Sequence, residues 1–207
     1  MQSDFNVFRI NNSLLNSNTF ILWQKEGGSC WLLDPGDVAP IRGFMGQHNL
    51  QPRGILLTHY HFDHIYGVNC LREFYDPEMP IFCGELTREG LLDAKLNMSL
   101  YAGKPFVVED KAIHLIQDND KIELWDGVCV KAIYTPGHND DCFSFFITDK
   151  LFTGDALIPH LKVHTKSKNA DKLLAEQTVR NILRNFPSQT MIFPGHNDPC
   201  KINELYE

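Results

Sequence analysis

Five short apolar segments of this sequence each stop at a turn or at a cluster of histidines. The segments CWLL, VCVKAIY and TMIF run into Asp34–Gly36, Thr135–His138 and Pro194–His196, respectively. The segments GILLT and KLFT run into the histidine-rich stretch after Thr58 and into Gly154-Asp155. Short β-type runs bounded by Gly and Pro are typical of strands and of the turns that end them.

This recurrence predicts that distant residues meet in space. Neighbouring strands bring their ends to one edge of a sheet, and Gly and Pro permit the sharp turns that aim the following side chains. Helix-like segments lie between the strands: VAPIRGFMGQHN, DHIYGVNCLREFY, and ADKLLAEQTVRNILRNF, which Pro187 ends. Strands that alternate with helices predict an α/β fold with layers of both elements.

Composition excludes several classes of protein. We expect one domain over residues 1–207, and the formal net charge of −7 argues against a nucleic-acid partner. Since the sequence shows neither a secretory signal nor an apolar run of ~18 residues, we expect no membrane partner. The six cysteines form no CxxC pair, so we expect reduced thiols, most of them buried, in a cytoplasmic protein. A small-molecule substrate is expected, and a homodimer is left open.

The histidine-rich stretch has the chemistry of a metal site. If the chain stays extended after Leu57, positions 59, 61 and 63 point to one side. His59 and His61 then bind one ion, Asp63 projects the same way, and His64 turns toward a second ion. Imidazole and carboxylate at this density suit Zn²⁺ first, with Fe or Mn as alternatives, and the lack of Cys argues against a closed structural zinc site.

The later strand ends complete a predicted pair of metal sites. His138 is the third ligand of the first ion and His196 of the second, while Asp155 bridges both because a carboxylate has two oxygens. Asp34 and Thr58 are predicted to hydrogen-bond the ligand rings and fix them. The seven predicted ligands of two divalent ions are therefore His59, His61, Asp63, His64, His138, Asp155 and His196.

Four motifs together resemble the metallo-β-lactamase fold hydrolases. They are HxHxDH at His59–His64, TPGH at Thr135–His138, TGD at Thr153–Asp155 and PGH at Pro194–His196. The likeness runs from about Asn18 to His196, and LLDPGD at Leu32–Asp37 is also similar to the early strand of that family. The resemblance implies an αββα four-layer sandwich of two mixed β-sheets flanked by helices, with the same seven ligands in a dinuclear site.

Within that family the chain looks most like the short glyoxalase II-like proteins. It departs from them after TPGH, where Asn139-Asp140-Asp141-Cys142 replaces Thr-x-Gly-Ser, and after Asp155, where ALIPHLKVHTKSK replaces a loop containing Gly-Arg. The sequence stops 207 − 196 = 11 residues after His196, so no separate glutathione-binding domain is expected. A hydrolase is therefore implied, whereas a glutathione thioester substrate is not.

The predicted mechanism is metal-activated hydrolysis of a small ester, thioester or related substrate. Two metals ~3.5–4 Å apart lower the pKa of a water between them and supply a bridging hydroxide. Asp63 is the predicted catalytic residue, since it would orient this nucleophile or relay its proton. The side chains predicted to contact substrate are Tyr66, His160 and His164.

Three other functions fit the same residues. A persulfide dioxygenase of this fold uses one iron, held by residues that match His59, His138 and Asp155. A phosphodiesterase of the same fold is a second alternative, and a non-catalytic metal-binding module is a third. Metal content and oxygen consumption distinguish the dioxygenase from a hydrolase.

Overall fold

A computed structural model describes residues 5–24 and 28–205 of the chain. It divides into two compact units, Met1–Leu115 and Ile116–Glu207, and each unit contains one six-stranded sheet. That residues 1–207 form a single domain stays a prediction.

The first unit contains a mixed sheet in the order β1-β2-β3-β4-β5-β6. Strand β2 is antiparallel to both of its neighbours, β1 and β3, and β3 to β6 run parallel. The strands are β1 Phe5–Asn11, β2 Asn18–Gln24, β3 Ser29–Leu33, β4 Gln51–Leu56, β5 Ile81–Cys83 and β6 Ile113–Leu115. The helices are α1 Val38–Gln47, α2 Phe62–Ile65, α3 Val68–Tyr75 and α4 Glu85–Leu91, with a 3₁₀ turn at Ser99–Ala102.

The core of the first unit joins its helices to its sheet. Ile41 of α1 and Leu71 of α3 are fully buried in one cluster with Leu32 and Ile55 of the central strands. Strands that are buried along their length need near-continuous apolar sequence, which is why CWLL and GILL are recognisable as strands. The apolar contacts thus hold the ends of β3 and β4 in fixed positions.

The second unit contains a mixed sheet in the order β12-β11-β10-β9-β8-β7. Only β10 and β11 pair in parallel; the other neighbours are antiparallel. Its strands are β7 Lys121–Trp125, β8 Val128–Tyr134, β9 Phe143–Ile147, β10 Lys150–Gly154, β11 Met191–Pro194 and β12 Cys200–Lys201. The remaining elements are helix α5 Lys172–Asn185 and a 3₁₀ turn at Ile202–Glu204.

Helix α5 packs on this second sheet through one apolar face. Ile182 is buried in a cluster with Leu151 of β10 and Ile192 of β11, and Val179 and Leu183 pack against it. The helix begins after Asp171, whose carboxylate accepts a hydrogen bond from the amide of Leu174 at 3.0 Å. This N-cap satisfies an amide that has no partner within the helix.

The predicted fold class is confirmed: the protein is α/β, with two mixed six-stranded sheets and helices packed on them. All five predicted strands are present as β3, β4, β8, β10 and β11, and α1 and α5 lie in two of the predicted helical segments. The segment predicted to be one helix after Asp63 is instead two, α2 and α3. The chain turns at Gly67, where a Cβ atom would lie 2.2 Å from the carbonyl oxygen of Gly36.

The cysteines are less uniformly buried than predicted. All six are free thiols; Cys30, Cys83 and Cys142 are buried, whereas Cys70 and Cys129 are exposed. Cys70 is exposed because it lies on the solvent side of the amphipathic helix α3, which buries Leu71 instead. Throughout residues 5–24 and 28–205, no helix combines the length and apolar character needed to cross a bilayer.

Candidate metal centre

In the first unit, two parallel strands deliver the predicted residues to one sheet edge. Strand β3 ends just before Asp34, and its parallel neighbour β4 ends just before Leu57 and the histidine-rich stretch. Asp34 takes a positive φ of 48°, which turns the chain sharply at the strand end. Asp34 and His59 are both fully buried. A carboxylate and an imidazole are buried in this way only when other groups satisfy them.

Thr58 fixes which nitrogen of His59 is available to bind a metal. Its hydroxyl donates to Oδ2 of Asp34 at 2.6 Å, and its amide donates to Oδ1 of the same carboxylate at 2.8 Å. The hydroxyl has one proton, so its oxygen accepts from Nδ1–H of His59 at 3.0 Å. The lone pair of His59 is therefore on Nε2, and the ring is held in the tautomer that a metal ligand needs.

The Nε2 lone pair of His59 faces the next predicted ligand. Nε2 of His59 and Nδ1 of His61 are 3.1 Å apart, with both rings largely or fully buried. Next to them, Nε2 of His64 lies 3.4 Å from Oδ2 of Asp63, and Nδ1 of His64 lies 3.3 Å from Oδ2 of Asp34. The first unit thus brings together all four predicted ligands of its stretch and both predicted supporting residues.

Asp34, His59 and His64 also form a group whose ligand atoms lie within 4.8 Å of one another. The carboxylate of Asp34 already accepts two hydrogen bonds from Thr58. The carboxylate of Asp34 lies on the Nδ1 side of the His64 ring, which is where a carboxylate that orients a metal-binding histidine is found. We therefore interpret Asp34 as a support for the ligands rather than as a ligand itself.

Sequence reasoning missed a buried polar network beneath this stretch. Ser17 donates its hydroxyl proton to the backbone carbonyl of Asp63 at 2.7 Å, and Thr19 donates to the carbonyl of Asp34 at 2.8 Å. The side-chain amide of Asn12 donates to both hydroxyls, at 3.1 and 3.0 Å. The spacing of these residues is not that of metal ligands. The sequence signal that they do give is a concentration of small polar residues between β1 and the start of β2.

In the second unit, three strands run in the same direction and end at the same edge. Strand β8 is antiparallel to β9, β9 is antiparallel to β10, and β10 is parallel to β11. His138 follows the turn after β8, Asp155 follows β10, and His196 follows β11. A register shift between Phe152 and Gly154 turns the end of β10, which re-aims the side chain that follows.

One oxygen of Asp155 lies next to both histidines that are predicted ligands in this unit. Oδ2 of Asp155 is 3.4 Å from Nε2 of His138 and 3.5 Å from Nε2 of His196. Nδ1 of His138 lies 3.0 Å from the carbonyl oxygen of His164, which can only accept, so Nδ1 carries the proton and Nε2 the lone pair. His138 is thereby held in the same metal-binding tautomer as His59.

These distances fit a metal site. Ligand atoms ~2.0–2.2 Å from an ion are separated by ~2.8–3.1 Å in octahedral geometry and by ~3.3–3.6 Å in tetrahedral geometry. The observed separations are 3.1 Å for His59 and His61, and 3.4 and 3.5 Å for the pairs around Asp155. Oxygen and nitrogen donors in this arrangement suit Zn²⁺, Fe or Mn, and the spacing does not select one of them.

The three residues predicted to contact substrate have other neighbours. The hydroxyl of Tyr66 donates to Oδ1 of Asp37 at 2.7 Å. Burial, reinforced by this bond, raises the pKa of Tyr66 well above its usual range, so the hydroxyl stays protonated. His164 supplies its carbonyl to His138, and His160 is exposed on the loop after Asp155 with a positive φ of 61°. Their contact with substrate stays a prediction.

Cys142 has the properties of a packed thiol rather than of a nucleophile. Burial raises its pKa far above the usual range for a thiol, and its Sγ donates to Oδ1 of Asn139 at 3.1 Å. A thiol is reactive only as a thiolate, and this one stays protonated at neutral pH. The departure from the glyoxalase II-like pattern at Asn139–Cys142 therefore brings no new nucleophile.

Removing the hydroxyl of Thr58 should weaken metal binding without removing a ligand. The change Thr58→Val deletes the hydroxyl that bonds both Asp34 and His59, while it keeps the side-chain volume and the backbone amide that also donates to Asp34. We expect metal affinity or turnover to fall ~10–100-fold, as for other residues that orient metal ligands. Thr58→Ser keeps the hydroxyl and is the matched control. Metal titration of both variants tests this, and equal affinities would contradict the role of the hydroxyl.

Comparison with known proteins agrees with this geometry. The family model described as the metallo-beta-lactamase superfamily matches residues 13–196, which is most of the chain. The chain belongs to the metallo-β-lactamase superfamily. The resemblance inferred from the four motifs is thereby confirmed.

Individual members of the superfamily are distant in sequence. A probable metallo-hydrolase, YqgX of Bacillus subtilis, is 26% identical over 88% of this chain and 85% of its own length. A hydroxyacylglutathione hydrolase of Hahella chejuensis is 28% identical over 87% of this chain, but that match covers 62% of the hydrolase. The crystal structure of the BLEG-1 B3 metallo-beta-lactamase superposes with a TM-score of 0.87 and 26% identity, covering 97% of this chain and 95% of that one.

Proposed function

We propose that this protein is a dinuclear metal-dependent hydrolase that cleaves a small ester, thioester or related substrate. The observation that carries the proposal is the position of Asp155, one oxygen of which lies 3.4–3.5 Å from two imidazole nitrogens. A buried carboxylate between two imidazoles is the arrangement of a residue that bridges two cations. Membership of the metallo-β-lactamase superfamily supports the same conclusion.

The proposed ligands are the seven residues predicted from the sequence. His59, His61 and His138 would bind one ion, Asp63, His64 and His196 the other, and Asp155 both. The support for this assignment is the order of the motifs along the chain and the fixed tautomers of two histidines, His59 and His138. Two divalent ions held there would lower the pKa of a water between them and polarise the substrate carbonyl. Zinc is the proposed metal, with Fe or Mn as alternatives.

The residues of the chain have distinct proposed roles in turnover. Asp63 would accept a hydrogen bond from the attacking water and receive its proton, because its carboxylate lies beside His64 and its backbone is held by Ser17. Asp34 and Thr58 would keep His59 and His64 from rotating. The buried rings exclude bulk water, which strengthens each of these interactions.

The proposed substrate class rests on the relatives. The Hahella chejuensis relative is named as a hydroxyacylglutathione hydrolase, and the Bacillus subtilis relative as a probable metallo-hydrolase. An acyl ester or thioester is therefore the substrate that we propose first. A small-molecule substrate, a cytoplasmic location, and the absence of nucleic-acid and membrane partners are part of the same proposal.

Metal analysis combined with a substrate panel tests the proposal. We expect the purified protein to hold close to two metal equivalents, to hydrolyse a thioester, a lactone or an ester, and to consume no oxygen. His61→Ala should lose turnover while keeping its circular dichroism spectrum, because a ligand is removed from a folded scaffold. His114→Ala, which removes an exposed imidazole on β6, is the matched control and should stay fully active.

Three outcomes would contradict the proposed function or the proposed ligands. One iron per chain with oxygen consumption on a persulfide would establish the dioxygenase instead. Cleavage of a phosphodiester alone would establish the phosphodiesterase. Full activity of His61→Ala would remove His61 from the site.

A further inference from the structure

The second unit contains a cavity whose lining includes none of the predicted metal ligands, although it includes His160, a predicted substrate contact. It has a volume of about 750 Å³ and lies between the loop after Asp155 and helix α5. Binding sites for small molecules commonly have volumes of ~300–1,000 Å³ and a mostly apolar lining with a few polar groups. Its lining has that character, and its apolar members are Leu157, Ile158, Leu161, Val163, Val179 and Leu205.

The loop wall of this cavity is held in place by hydrogen bonds. Thr153 donates to the carbonyl of Leu157 at 2.7 Å, and Asn197 donates to the carbonyl of Pro159 at 3.1 Å. Further along, the carbonyl of His164 accepts from His138. On the opposite side, Ala175 and Val179 belong to a regular helix. The cavity is therefore formed in advance of any ligand.

Charged groups around the cavity are predominantly cationic. Among the described residues, Lys162, Lys172 and Arg180 line it, against the single carboxylate of Glu176. That carboxylate lies 3.9 Å from the guanidinium of Arg180, one helical turn away. This pairing leaves Lys162 and Lys172, from opposite walls, to face an incoming ligand, in a chain whose overall charge is −7.

We propose that this cavity is a binding site for a small anionic amphiphile, a short apolar chain that ends in a carboxylate or phosphate. The apolar lining accommodates the chain, and the two lysines attract the anionic group. Neutral apolar molecules would leave the lysines without a partner, whereas small inorganic anions would leave the apolar lining exposed to water. The site is separate from the metal ligands and does not depend on the proposed hydrolase activity.

Direct binding to the purified full-length chain tests the proposal. We expect octanoate to bind in isothermal titration, and 1-octanol and acetate to bind ~10-fold more weakly, because each lacks one of the two features. An octyl phosphate titration shows which anionic group the lysines favour, and tighter binding by either compound supports the site. The proposal would be overturned if octanoate did not bind, or if its affinity were less than ~10-fold above that of acetate.

Two pairs of matched variants place the ligand in the cavity. Combining Lys162→Gln with Lys172→Gln should weaken octanoate binding ~10-fold, whereas Lys166→Gln with Lys168→Gln, which changes two lysines outside the lining, should not. Leu161→Asp places a carboxylate in the cavity and should abolish binding. Leu173→Asp, a change at another exposed leucine that lies on α5 outside the lining, should have no effect.

The same titrations exclude binding at the metal centre. His61→Ala should bind octanoate as well as the wild-type chain, since His61 does not line the cavity. Equal weakening by the lining and control variants, or loss of binding in His61→Ala, would overturn the proposal. Neither result depends on finding the substrate of the metal centre.

Discussion

Asp155→Asn is expected to reduce kcat/KM by ~10³-fold or more. The carboxylate would lose its negative charge, and an amide would present an N–H group or a weaker oxygen to the nitrogens of His138 and His196. Both imidazoles would lose the anion that lies 3.4–3.5 Å away. Metal content should fall below that of the wild type in the same preparation.

Asp149→Asn is the matched control for this change. Asp149 lies in the same unit, is mostly exposed, and accepts a hydrogen bond from the ammonium of Lys150 at 2.7 Å, which lowers its pKa. Because exposed ion pairs contribute little, we expect activity within ~2-fold of wild type. If Asp155→Asn retained both metal content and turnover, a bridging role for Asp155 would be excluded.

Gly137→Ala is expected to lower the free energy of unfolding by ~3 kcal/mol or more. Gly137 has a φ of +129°, a conformation that L-residues rarely adopt, and a Cβ atom would lie 2.3 Å from the backbone nitrogen of Ala175 in helix α5. The carbonyl of Gly137 also accepts from the amide of Asp171, which caps that helix. The helix and the turn would have to separate, and His138 would move with the turn.

Gly127→Ala distinguishes backbone strain from steric overlap. Gly127 also has a positive φ, +70°, but no atom lies within 4 Å of the position of its Cβ. We expect this change to cost only ~1 kcal/mol, from the left-handed conformation alone. Urea denaturation of the two variants measures the difference, and equal losses would show that Ala175 yields to the added methyl group.

The sequence was most informative where structure and chemistry are local. Apolar runs predicted β3, β4, β10 and β11, because a buried strand needs continuous apolar side chains whatever its neighbours, and apolar residues at alternate positions predicted β8. Strands β1 and β7 were not predicted, since β1 is only partly buried and β7 is a short strand in which charged residues alternate with apolar ones. The break between α2 and α3 also escaped, because it depends on the carbonyl of Gly36, a residue far from Gly67 in the chain.

The sequence by itself determined the types of ligand and the strand ends that carry them, because Gly, Pro, His and Asp mark sharp turns and metal chemistry wherever they occur together. Only the tertiary structure decided which nitrogen of His59 and of His138 carries the lone pair. The tautomer of His138 is set by the backbone carbonyl of His164, and a carbonyl is present at every residue and leaves no mark in a sequence. Likewise, the support of Asp63 by Ser17 joins residues 46 positions apart, a contact that depends on how the first sheet and its loops pack.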